Sequence, residues 1–110
     1  MKIKKQRRKF KTGTNKNIVN ITHVADIKLN NDELINFKFG KSNYDFVKKN
    51  WGFYATASID KRLKNEGFKT AIVKNIFLNK YIMVVHKSKI GKFKKYCKDH
   101  KQIIVKWLSK

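Results

Sequence analysis

Carboxylates are what this chain has least of. Of 110 residues only seven are acidic, Asp26, Asp32, Glu33, Asp45, Asp60, Glu66 and Asp99, against 28 lysines and arginines, a formal charge of +21. So few acids at such spacing offer no paired carboxylates for acid–base catalysis. Cysteine is nearly absent as well. With Cys97 alone, no internal disulfide can form, and a redox compartment is barely constrained. No apolar run approaches the roughly 18 residues that a membrane helix needs. The charged N-terminus has no apolar stretch behind it, so no secretory signal is expected, and a cytoplasmic setting is the default. Glycine-rich phosphate loops and nucleophile elbows are also missing. A non-enzymatic chain without cofactor or metal is therefore expected.

Arginine is scarce too, at Arg7, Arg8 and Arg62 only. Lysine, asparagine and isoleucine in excess suggest an AT-rich genome, and that bias explains lysine over arginine. It does not explain the missing acids, whose codons can also be AT-rich. A surplus of like charge repels itself and does not help folding, so an anionic partner is the simplest relief. Nucleic acid fits that description, RNA ahead of the rest. Few arginines argue against bidentate reading of bases, so contact with the phosphate backbone is expected.

One domain is expected at this length, with an arm in front. Residues 1–17, MKIKKQRRKFKTGTNKN, carry no acid, and their apolar members Ile3 and Phe10 show no period. They read as a basic flexible arm whose Lys4, Lys5, Arg7, Arg8 and Lys9 would lie along phosphates. The domain then occupies residues 18–110. Period-two alternation from Val19 to Leu29 and from Ile35 to Phe39, with turn residues Asn30 to Asp32 between them, predicts a β-hairpin. Tyr44 to Asn50 is ambiguous between a short helix and a loop.

Residues Trp51 to Asn75 organise the rest. Trp51 to Thr56 alternates as a strand. Ser58 suits a helix N-cap, Ile59 and Leu63 share one helical face, and Gly67 suits the residue after the helix end. Phe68 to Val73 and Tyr81 to His86 read as strands. Lys89 to His100 reads as a helix with Ile90, Phe93 and Cys97 inward and Lys92, Lys95 and Lys98 outward. Residues 102–108 make a last strand. The order β-α-β-β-α-β predicts a ferredoxin-like split βαβ α+β fold behind the hairpin.

Several groups are candidates for binding. The helix start at Ser58, with Lys61, Arg62 and Lys69 nearby, could hold an anion. Trp51, Tyr54 and Tyr81 could stack bases from an open sheet face, although strand aromatics commonly fill cores and the usual RNA-recognition signature is missing. Cys97, His100 and His86 are too few for a zinc site, and Cys97 is better read as a small core residue. Two alternatives to a polyanion binder stay open. One is an accessory or protein-interaction module of a bacterial biosynthetic locus, basic through genome bias. The other is a small phosphometabolite-binding domain using the Ser58 helix start.

The block WGFYATASIDKRLKNEGFKTAIVKN, followed by YIMVVHK, KFKKY and the closing WL, resembles a small bacterial domain family of unassigned function, with the pattern WGFYAT-S-RLK-GFKTA-VKN. The resemblance spans residues 43–108. Where that pattern often has proline before the helix cap, this chain has Ala57. The resemblance implies a bacterial accessory module and carries over no functional residues.

Overall fold

The computed structural model describes residues 1–14 and 17–109. Most of them lie in eight strands, β1 Lys2–Thr14, β2 Asn17–Lys28, β3 Leu34–Phe39, β4 Ser42–Lys49, β5 Gly52–Ala55, β6 Phe68–Lys74, β7 Lys80–His86 and β8 Ile103–Trp107. The α-helices are α1, Arg62–Asn65, and α2, Ile90–Asp99, which follows a 3-10 turn over Lys87–Lys89. The strands form three separate sheets in the orders β1-β2, β3-β4-β5 and β7-β6-β8, every neighbouring pair antiparallel.

This is not the ferredoxin-like fold expected. The predicted hairpin between β2 and β3 does not form. The turn at Asn31 and Asp32 is present, with Asp32 at φ 67, but it separates two sheets. β2 pairs instead with β1, the segment expected as a flexible arm, and β3 pairs with β4, the segment left ambiguous. The strand after Trp51, β5, joins β4 and stays out of the sheet built on β6. Helix α1 is a single turn. Ser58 does not cap it with its side chain; its carbonyl accepts from the Leu63 N–H at 3.0 Å in the turn before. Leu63 is the only apolar residue of α1, and with Glu66 and Gly67 next, further turns would bury nothing more against their ordering cost.

Two packing seams hold the two three-stranded sheets and the helices together. Alternation puts Ile35, Phe37 and Phe39 of β3 on the same face as Tyr44 and Phe46 of β4. That face meets Phe68 at one end of β6. Tyr44 lies 5.8 Å from the Phe68 ring and Phe39 lies 6.3 Å from it. His86 stacks on Phe39 at 5.3 Å and bonds Ser42 through Nε2 at 3.0 Å, tying β7 to the start of β4. Beneath this seam Ala57, Leu63 and Phe68 form the buried core, with Leu63 fully enclosed. Gly67 is obligatory here. It sits at φ 90 behind α1, and a Cβ would come within 2.8 Å of His86 Nε2. The second seam lies on the other face of β6, where Ala71 and Val73 are fully buried. There α2 brings in buried Cys97, and Phe93 packs edge-on against Trp107 at 5.8 Å.

The β1-β2 ribbon stands largely outside these seams. It touches the remainder at its two ends. The Met1 amino group pairs with Glu33 at 3.2 Å, and the Asn17 side-chain amide donates to the Asp99 carbonyl at the end of α2. The radius of gyration, 15.6 Å, exceeds the roughly 13 Å typical of a compact chain of this length. Large apolar side chains remain in solvent, Ile82 at 72% and Ile103 at 68% exposure among them.

Leu63→Ala should therefore lower stability by about 2–5 kcal/mol in urea unfolding, whereas Ile103→Ala should stay within about 0.5 kcal/mol of the unaltered chain.

Candidate functional site

Register decides which way the lysines of β1 point. Residues directly opposite in an antiparallel pair project to the same side. Lys2, Lys4, Lys9 and Lys11 stand opposite Lys28, Asp26, Thr22 and Asn20, all even-numbered positions of β2. Ile3, Lys5, Arg8, Phe10 and Thr12 stand opposite Ile27, Ala25, His23, Ile21 and Val19, all odd-numbered. Strict alternation could not place Lys4 and Lys9 together. A bulge between Lys5 and Arg8 sets two residues, Gln6 and Arg7, against Val24 and shifts the phase by one. The result is a ribbon with one basic side and one mixed, mainly apolar side. On the basic side Lys2, Lys4, Lys9, Lys11 and Lys28 are all exposed.

One carboxylate, Asp26, stands on this side opposite Lys4, and it is engaged by His23 and Gln6 rather than by a lysine. Among the described residues, the lysines and arginines with a carboxylate within ion-pair range are Lys49 with Asp32, Arg62 with Asp45 at 3.7 Å, and Lys95 with Asp99 at 2.7 Å. The acids instead act as joints. Glu33 takes the Asn30 N–H at 2.7 Å, which together with the Met1 amino group holds its carboxyl below the usual value. Asp26 binds His23 at 2.8 Å and the Gln6 amide, fixing the bulge, and Glu66 accepts from the Asn43 N–H at 2.9 Å. The hydrogen bond from Lys95 holds the Asp99 carboxyl low.

The residues singled out from sequence are distributed as follows. Lys4 and Lys9 lie on the basic side of the ribbon, Lys5 and Arg8 on the other, and Arg7 in the bulge. Arg8 lies over the Phe10 ring at 5.2 Å. Lys92, Lys95 and Lys98 are exposed on α2, the helix whose end meets the ribbon tip through Asn17. Arg62 is engaged by Asp45 and by the Thr56 hydroxyl. Lys69 lies over the Trp107 ring at 4.7 Å. Ser58 stands four residues ahead of α1, with exposed Lys61 between them. Lys2, Lys11 and Lys28 were not singled out, because their common side emerges only once the bulge is known.

Trp51 and Tyr54 do come together. They stack at 6.1 Å in and beside the β4–β5 turn, with Trp51 68% exposed. Tyr81 lies apart from them, at a cleft between the ribbon tip, β7 and the end of α2. That cleft encloses about 390 Å³. Among the described residues no three His, Cys, Asp or Glu side chains gather as a metal site. No helix among them is long and apolar enough to cross a membrane.

Compared with protein-family models, curated proteins and solved structures, the chain finds no match.

Cys97 is buried on the inner side of α2, and burial pushes its thiol pKa up, away from the thiolate. Its modification by a disulfide reagent at pH 8 should be at least about 100-fold slower in the native protein than in guanidinium, a difference that an accessible thiol would not show.

Proposed function

We propose that this chain is a cytoplasmic, non-enzymatic binder of an anionic polymer, RNA foremost, working as a component of a ribonucleoprotein particle. The observation that carries the reading is the single-sided array of Lys2, Lys4, Lys9, Lys11 and Lys28, without carboxylate partners among the described residues. Alternate residues on a strand lie roughly 6.6 Å apart, so the array presents a line of cations to a line of phosphates. Each lysine that neutralises a phosphate releases a counterion, which makes such binding strongly salt-dependent. Flexible ammonium groups without a planar fork suit phosphate contact better than base recognition.

Two further features support the reading. Exposed Lys92 and Lys98 on α2, the helix whose end meets the ribbon through Asn17, add a second group of cations. Trp51 stacked on Tyr54 offers an exposed flat platform of the kind that takes bases without sequence preference. The other side of the ribbon favours a second contact within the same particle. Ile3, Phe10, Ile21 and Ile27 are exposed there, an arrangement suited to a protein neighbour.

Replacing Lys2, Lys4, Lys9 and Lys11 together by glutamine should weaken binding to a single-stranded oligoribonucleotide and reduce the slope of log affinity against log salt by roughly 3. Replacing Lys61, Lys64, Lys69 and Lys74, which lie off the ribbon, should leave most of that slope in place. Equal loss in the two variants, or no salt-dependent binding by the unaltered chain, would contradict the proposal.

A further inference from the structure

The cleft beside Tyr81 has features that the ribbon does not explain. Its walls come from three distant parts of the chain: Ile21 near the ribbon tip, Phe77 and Tyr81 around the start of β7, and Tyr96, His100 and Gln102 around the end of α2. At about 390 Å³ it falls within the range of small-ligand sites. The lining is rich in rings. Tyr96 and His100 lie against each other at 4.2 Å, and Tyr81 is held at its hydroxyl by the Asn75 amide at 3.5 Å. Among the described residues no carboxylate lines it. Lys80, Lys98 and Lys101 are close in sequence to the lining residues and are all exposed.

Gln102 is the group that needs a reason. Its side-chain oxygen is buried and accepts no hydrogen bond among the described residues. A buried amide oxygen left unpaired costs about 1–3 kcal/mol, so such groups commonly mark a missing partner. The backbone around it is firmly set. The Gln102 N–H donates to the Cys97 carbonyl at 2.7 Å, and Lys101 before it adopts φ 54 to make the tight exit from α2. The side-chain amide itself turns about a soft terminal torsion.

We propose that this cleft takes an unpaired adenine base. A glutamine amide offers a donor and an acceptor side by side, and adenine presents the matching N6 amino group and N7 acceptor on one edge. Once the Gln102 side chain turns toward the cleft, the base supplies the donor that Oε1 lacks in its buried position. Tyr81, Tyr96 and His100 supply the ring surfaces against which a flat base stacks. The neighbouring lysines suit the phosphates on either side of it. This inference rests on the RNA-binding reading and adds to it one place where a base is distinguished, within an interface otherwise indifferent to sequence. The shared chemistry, an adenine base, could also arrive as a free nucleotide.

Fluorescence anisotropy with labelled twelve-residue oligoadenylate and oligouridylate, at two salt concentrations, tests it. The unaltered chain should bind oligoadenylate about tenfold more tightly than oligouridylate. Gln102→Leu should abolish the preference while leaving oligouridylate affinity and salt dependence as they were. Gln102→Glu, which keeps the shape of the side chain, serves as the second variant should the leucine one fail to fold. Equal affinity of the unaltered chain for both oligomers overturns the cleft proposal and leaves the polyanion reading intact. Absence of salt-dependent binding to either overturns the polyanion reading. Thermal shifts with AMP and UMP then decide the cleft: a rise in Tm with AMP alone, lost in Gln102→Leu, supports it for a free nucleotide, and no rise overturns it.

Discussion

Like-charge repulsion is the constraint under which this chain folds. A formal charge of +21 on 110 residues acts against compaction, and seven carboxylates cannot neutralise it. The structure answers by moving cations off the core rather than by pairing them with acids. Three small sheets replace one large sheet, a two-stranded ribbon carries much of the charge away from the core, and α2 carries another portion on its outer face. The few acids are spent at joints: Glu33 anchors the N-terminus, Asp45 and Glu66 lock the second sheet to the α1 region, and Asp26 holds the bulge. The cost is a thin core around Leu63 and Phe68 and a surface with many exposed apolar side chains. Both features suit a chain whose charge and apolar surface are completed by partners.

The bulge at Gln6 and Arg7 links that constraint to function. Side chains on a strand repeat every two residues, so one inserted residue exchanges the two sides for everything beyond it. Before the bulge the basic side holds even-numbered lysines; after it, odd-numbered ones. The same shift brings Ile3 and Phe10 to a common apolar side. A basic segment without apparent period thereby becomes a two-sided element, one side lined by lysines and the other mainly by apolar side chains.

Much of the local structure was legible in the residues, and little of the assembly was. Alternation exposed β2, β3, β6, β7 and β8, the spacing of Ile90, Phe93 and Cys97 exposed α2, and Gly67 marked the end of α1, where its N–H donates to the Lys64 carbonyl at 2.9 Å. Pairing was another matter. Several strands present an apolar side that could meet several partners, so β2 could not be assigned to β1 over β3 from pattern alone. β1 escaped notice because the bulge breaks the very period that reveals strands. The Trp51–Tyr54 stack follows from two aromatics three residues apart, but the cleft beside Tyr81 draws its walls from Thr12, Gly13 and Ile21, from residues around the start of β7 and from the end of α2, which only the tertiary arrangement unites.

Lysine-reactivity footprinting bears most directly on whether the ribbon's one-sided array meets the polyanion. The chain is acetylated with and without saturating oligoribonucleotide, and each lysine's modification is read by mass spectrometry. Lys2, Lys4, Lys9, Lys11 and Lys28 should be strongly protected, while Lys5, across the ribbon, and Lys61 and Lys64, at and within α1, should react as before. Protection spread evenly over all lysines, or none at the five on the basic side, would contradict the account.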